Sequence, residues 1–216
     1  GEWVLSMSLE PLLTVIEVAA TVVFAISGLI EALRKRMDVV GVFSVAFVTA
    51  FGGGTLRDVL LDRRPLFWVQ HQEYVWLVLA LTLIAPPLLR LARHQWVDRL
   101  MQVTDALGLG LFAVSGASLA LAAGMPALVA ALLAVVTGVF GGVLRDVLCN
   151  EIPLVFRDHQ PYAVWAFVGG WAYIGLQAAG AGPVIASTLG IVLASGLRLL
   201  AVARGWRIPP WPRDAA

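Results

Sequence analysis

The sequence predicts an all-α integral membrane protein. It should have seven transmembrane helices, arranged as an inverted 3+3 repeat plus a seventh helix, with the second and fifth helices broken at glycines. Three observations carry this prediction. The 216 residues are 60% hydrophobic and only 13% charged, whereas soluble domains carry about a quarter charged residues. Apolar runs long enough to cross roughly 30 Å of hydrocarbon recur along the chain. The chain also repeats itself: residues 53–60 read GGTLRDVL and residues 141–148 read GGVLRDVL, an interval of 88 from Arg57 to Arg145. At the same interval Phe24, Ser27 and Gly28 return as Phe112, Ser115 and Gly116. Thr49 returns as Thr137, Pro65 as Pro153 and Tyr74 as Tyr162.

Seven apolar segments lie at about 11–33, 38–61, 74–92, 102–122, 125–148, 161–179 and 183–202. Backbone polar groups in hydrocarbon must be satisfied within their own segment, so each segment is read as a helix. The first ends at the charged run 34–38, the second at 62–65 and the third at 93–95. Tight uncharged turns at 123–126 and 179–183 separate the fourth from the fifth and the sixth from the seventh. The chain then divides into an N-terminal segment (1–10), a first repeat (11–92), a second repeat (102–179), the seventh helix (183–202) and a tail (203–216). Pro209, Pro210 and Pro212 should keep that tail irregular. Three helices per repeat is an odd number, so the second copy enters the membrane from the opposite side.

Lys and Arg set the orientation. Arg34, Lys35, Arg36, Arg90, Arg93, Arg99, Arg157, Arg204, Arg207 and Arg213 collect on one side, against mainly Arg63 and Arg64 on the other. The expectation is an N-terminus outside and a C-terminus in the cytoplasm. Trp3, Trp68, Trp76, Trp96, Trp165, Trp206 and Trp211 fall near segment ends, as interfacial anchors do. No basic stretch or small-residue cleavage site accompanies the first apolar run, which is read as a mature span.

Several function classes are set aside. Basic residues scatter at segment ends and do not gather on one helical face, so no nucleic-acid partner is expected. The single cysteine, Cys149, excludes an intrachain disulfide and has apolar neighbours, which suits a packing thiol. His71 and His159 have no second nitrogen or thiol ligand nearby, so neither a metal site nor a cofactor is expected. An enzyme is not expected either, because no base or nucleophile converges on the Arg-Asp pairs.

The candidate site begins with Gly52, Gly53 and Gly54 in the second segment and Gly141 and Gly142 in the fifth. A glycine inside a helix costs about 1 kcal/mol relative to alanine, so these runs are expected to kink or unwind. Carbonyls freed there suit a hard monovalent cation. Close helix packing is the alternative reading, but paired breaks at matching repeat positions favour a conduction or binding site. Arg57, Asp58, Arg145 and Asp146 lie one turn further on. They form either a charged constriction that gates ions or a structural pairing across the repeats, and both readings stay open. Glu17 and Asp105, another pair at the repeat interval, either attract cations toward the pore or, lying near their segment starts, are solvated at the interface; the second reading is the expectation. Ser27 and Ser115 soften the first and fourth segments. Thr49 and Thr137 precede the glycines by a turn, where hydroxyls can bond freed carbonyls or face water.

The doubled GGxLRDVL motif, each copy followed by Pro65 or Pro153, resembles the prokaryotic trimeric intracellular cation (TRIC) channel family. This family overlaps a bacterial group of glycine-transporter-like membrane proteins. The resemblance covers the chain to about residue 202. It implies a homotrimer in a bacterial or archaeal inner membrane, with a pore in each protomer between the two repeats. The second and fifth helices would line the pore, with the first and fourth contributing, and K⁺ would be the chief permeant ion. The resemblance implies ion contact at the backbone of Gly52, Gly53, Gly54, Gly141 and Gly142, with K⁺ held transiently at all but the first. Phe140 stands where Gly52 would recur. The alternative is a secondary transporter for glycine or a similar small zwitterion, whose carboxylate half-helix N-termini would hold.

Overall fold

The computed structural model describes residues 2–157 and 159–211, with side chains from residue 9 onward. The Trp3 side chain and Arg213 lie outside the described residues. Eight helices are present: α1 (Glu2–Arg34), α2 (Val39–Leu60), α3 (Phe67–Gln70), α4 (Gln72–Leu91), α5 (His94–Ala122), α6 (Ala127–Leu148), α7 (Ala163–Ala178) and α8 (Pro183–Arg204). No strand occurs among the described residues. Each of the seven expected segments is helical. Six helices are long and apolar enough to cross a membrane, whereas α7 has only 16 residues. The short α3 was not expected from the sequence.

Local chemistry explains the helix ends. Asp38 accepts a hydrogen bond from the Gly41 N–H at 2.9 Å, capping the start of α2. The turns after α2 and α6 pass through the left-handed region at Asp62 (φ 52°) and Asn150 (φ 57°). Asp and Asn tolerate that region best among non-glycine residues. The turn after α5 uses Gly124 (φ 77°), where no Cβ is needed, and the turn after α1 uses Arg36 (φ 56°) at the equivalent position.

The helices α1, α2, α5 and α6 form the centre, with α2 crossing α6 and α1 packed on α5. The helix α4 covers α1 and α2, and α7 covers α5 and α6. The extra helix, α8, lies against α5 and α7. Phe24 and Phe112, each fully buried, stack on one another at 5.6 Å in the middle of this core.

The expected glycine breaks are absent. The helix α2 runs uninterrupted through Gly52, Gly53 and Gly54, and α6 does so through Gly141 and Gly142. The reason is contact between helices. A Cβ on Gly53 would stand 2.1 Å from the Thr137 carbonyl oxygen, and one on Gly141 would stand 2.4 Å from the Thr49 carbonyl oxygen. Only residues without a side chain allow two backbones this close. The packing at the crossing offsets the intrinsic helix cost of glycine. The two contacts are reciprocal: each glycine meets the threonine that lies one repeat away from its own.

Candidate functional site

Two buried charged clusters lie one turn beyond the glycines. The Arg57 side chain is fully buried. Its Nε donates to Asp58 Oδ1 at 2.8 Å and its Nη1 to Ser115 Oγ at 2.6 Å, while Nη1 pairs with Glu17 Oε1 at 3.1 Å. The guanidinium lies over the Phe67 ring at 5.0 Å. Arg145 repeats the arrangement: Nε donates to Asp146 Oδ1 at 2.8 Å, and Nη1 donates to Asp105 Oδ1 at 2.6 Å and to Ser27 Oγ at 3.1 Å. Each arginine therefore takes two acids from its own repeat and a serine from the other.

The aspartates of the motif have a second task. Asp58 Oδ2 accepts the Phe67 N–H at 2.8 Å, and Asp146 Oδ2 accepts the Leu154 N–H at 2.9 Å. Each carboxylate ties the chain after its helix back onto that helix.

Glu17 and Asp105 are not solvated at an interface as expected; they are 7% and 2% exposed. The helices α1 and α5 start well before their apolar runs, at Glu2 and His94. Both acids therefore sit about three to four turns inside a helix. The Thr49 and Thr137 hydroxyls donate to the Val45 and Leu133 carbonyls of their own helices, both at 2.6 Å. No freed glycine carbonyl is available to them.

Two cavities approach the clusters from opposite ends of α1 and α5. One, of about 260 Å³, is lined by Glu10, Thr14, Glu17, Arg63, Phe67 and His71 among others. The other, of about 310 Å³, is lined by Asp98, Gln102, Asp105, Arg145, Arg157 and Arg198 among others. Glu10, Thr14 and Glu17 correspond to Asp98, Gln102 and Asp105 at the repeat interval. The first cavity joins the start of α1 to Leu119 near the end of α5, and the second joins Glu31 and Arg34 near the end of α1 to the start of α5. The two helices are thus antiparallel, and the Phe24–Phe112 stack lies about two turns past the acid in each.

Arg34, Asp98 and Arg157 of the second cavity's lining take part in ion pairs. Arg34 bonds Asp98, Lys35 Nζ lies 2.5 Å from Glu151 Oε1, and Arg157 Nη1 lies 3.6 Å from Glu151 Oε2. The hydrogen bond to Glu151 holds the Lys35 ammonium above its ordinary pKa, and the same bond holds the Glu151 carboxyl below its own. Burial pushes the nearby Cys149 thiol up to about 11, in keeping with a packing role.

Sequence reasoning missed two contributors. The Tyr162 hydroxyl donates to Asp105 Oδ2 at 2.8 Å. The Arg198 guanidinium lies 4.9 Å from the centre of the Tyr162 ring, and its Nη1 donates to the Pro161 carbonyl at 3.1 Å. Tyr162 was legible as the counterpart of Tyr74. Arg198 left only the signal of a lone charge in the last apolar segment. His71 bonds Glu73 at 3.0 Å and stacks on Tyr74 at 4.9 Å.

A family model described as Glycine transporter matches residues 14–88 and 102–178, two stretches that begin one repeat interval apart. The UPF0126 inner membrane protein YadS of Escherichia coli (strain K12) is 35% identical over 202 residues, covering 92% of this chain and 96% of that protein. The TRIC trimeric intracellular cation channel orthologue from Rhodobacter sphaeroides has a similar structure. Its TM-score is 0.84 at 33% identity, over 91% of this chain and 100% of that one. A prokaryotic TRIC channel in 0.5 M KCl gives a TM-score of 0.84 at 27% identity, over 91% of this chain and 98% of that one. A repeated charged motif, a fold centred on two crossing glycine helices and these similarities agree: the chain belongs to the glycine-transporter family of UPF0126 membrane proteins, whose fold is that of the TRIC channels.

Proposed function

We propose that this chain is a multi-pass inner-membrane channel for monovalent cations, chiefly K⁺, working as a homotrimer with a path through each protomer between the two repeats. One observation carries the reading: polar cavities at equivalent repeat positions enter from opposite ends, and each is lined by a buried acid, Glu17 or Asp105. A duplicated unit turned over on itself gives a two-sided entry of this kind. The basic end, with Arg34, Lys35, Arg36, Arg90 and Arg93, faces the cytoplasm, and α7 completes the seventh crossing.

The acids draw cations in, and the Ser27 and Ser115 hydroxyls supply oxygen ligands between them. Arg57 and Arg145 neutralise those acids, so conduction requires at least one acid–arginine pair to part; this gives the charged motif its gating role, with Asp58 and Asp146 as anchors. The path opens where α2 and α6 part at Gly52, Gly53, Gly54, Gly141 and Gly142, and the ion then meets backbone oxygen there beside Thr49 and Thr137.

A transporter for glycine is the second reading. The description of the matching family model favours it, as does the mixed charge around the second cavity, where Asp105 and Asp146 stand beside Arg145 and Arg198. The test is single-channel recording of the purified full chain in planar bilayers under a KCl gradient. Unitary steps reversing near the K⁺ equilibrium potential are expected. A silent bilayer, together with saturable and concentrative glycine uptake into liposomes, would replace the channel with the transporter.

A further inference from the structure

The two halves of the site are not equal. In the second repeat Asp105 is held from two sides, by Arg145 at 2.6 Å and by the Tyr162 hydroxyl at 2.8 Å. Arg198 from α8 in turn fixes Tyr162, and α8 has no counterpart in the first repeat. In the first repeat Glu17 pairs with Arg57 alone among the described residues.

Tyr74 stands where Tyr162 does, but its buried hydroxyl has no hydrogen-bond partner. Thr21, one turn beyond Glu17, is fully buried and its hydroxyl is likewise unpartnered. Leu109 occupies the equivalent place in the second repeat. Buried hydroxyls without partners are costly, and each one calls for an explanation. Here both lie in the repeat whose acid is loosely held. Glu17 is also one methylene longer than Asp105.

We propose that Glu17 is the moving element of the gate: its carboxylate exchanges Arg57 for the Tyr74 hydroxyl, with Thr21 beside it, while Asp105 and Arg145 remain a fixed wall. Arg57 keeps Asp58 and Ser115 when Glu17 leaves, and the released Glu17 carboxylate still borders the cavity that Arg63 and His71 line. The two unpartnered hydroxyls are the acceptor-seeking half of a second arrangement of the same groups. Arg198 is the positioning residue that denies the second repeat the same freedom. This inference rests on the channel reading.

The experiment is to record the full-length chain in planar bilayers and to measure its thermal midpoint in detergent, for the wild type, Tyr74→Phe and Tyr162→Phe. Tyr74→Phe removes a hydroxyl that bonds nothing in the resting arrangement. Its midpoint should not fall, its unitary conductance should be unchanged, and its open probability should drop about five-fold, the population change that one hydrogen bond supports. Tyr162→Phe removes a bond that is present, so its midpoint should fall without a matching drop in open probability. An unaltered open probability in Tyr74→Phe, or equal drops in both variants, overturns the gate. A wild type that passes no current removes the channel reading and the gate with it. Wild-type currents with an unaltered Tyr74→Phe remove the gate alone.

Discussion

Alanine at Gly53 or Gly141 is expected to destabilise the protein by about 1–3 kcal/mol each, toward the upper end of the usual cost of overpacking. The added carbon would stand 2.1 Å or 2.4 Å from a carbonyl oxygen of the facing helix. A backbone atom cannot swing aside as a side-chain end can, so α2 and α6 must separate. The neighbouring glycines are the control. A Cβ on Gly52 would meet the Leu144 Cδ1 methyl at 2.8 Å, and one on Gly142 would find nothing nearer than 3.5 Å. Gly52→Ala and Gly142→Ala should therefore stay close to wild type in thermal midpoint. Equal losses at all four positions would mean that the helices tolerate no stiffening at all, and the crossing contact would lose its special standing.

Arg145→Met is expected to cost about 3–5 kcal/mol, the penalty for leaving buried charge uncompensated. Asp105 and Asp146 would both lose their cation, and neither can reach water easily at 2% and 3% exposure. Asp105→Asn added to Arg145→Met should recover part of the loss, because the amide carries no charge and can still accept from Tyr162. Arg145→Lys should recover little. An ammonium is a single point, whereas Arg145 uses Nε toward Asp146 and Nη1 toward Asp105 and Ser27. Arg57→Met should behave like Arg145→Met. A variant as stable as wild type in detergent melting would show that the buried pairs do not pin the helices.

The doubled motif and its interval could be read from residue identity alone, because Gly-Gly, Leu-Arg-Asp and the flanking Pro recur without a gap. The behaviour of the glycines could not. A glycine run that breaks a helix and one that admits a neighbouring backbone are written with the same letters. What decides between them is the carbonyl across the interface, and Thr137 and Thr49 lie far away in the chain. Glu17 and Asp105 were misplaced for a different reason. The first turns of α1 and α5 are polar enough to look like loops, so the apolar run understates the helix and makes a deep acid look terminal. The ties among Arg198, Tyr162 and Asp105 join the eighth helix to the second repeat, and no periodicity within either reports them.

The Phe24–Phe112 stack places a residue against its own copy. A surface that can pair with itself in antiparallel fashion needs only one gene half, provided that the product inserts both ways up. Once the two halves are joined in one polypeptide, the ribosome fixes their ratio at one to one, and the insertion machinery has a single orientation to choose. Each half is then free to change alone, which is how Thr21 can stand opposite Leu109 and Phe67 opposite Val155 within one molecule.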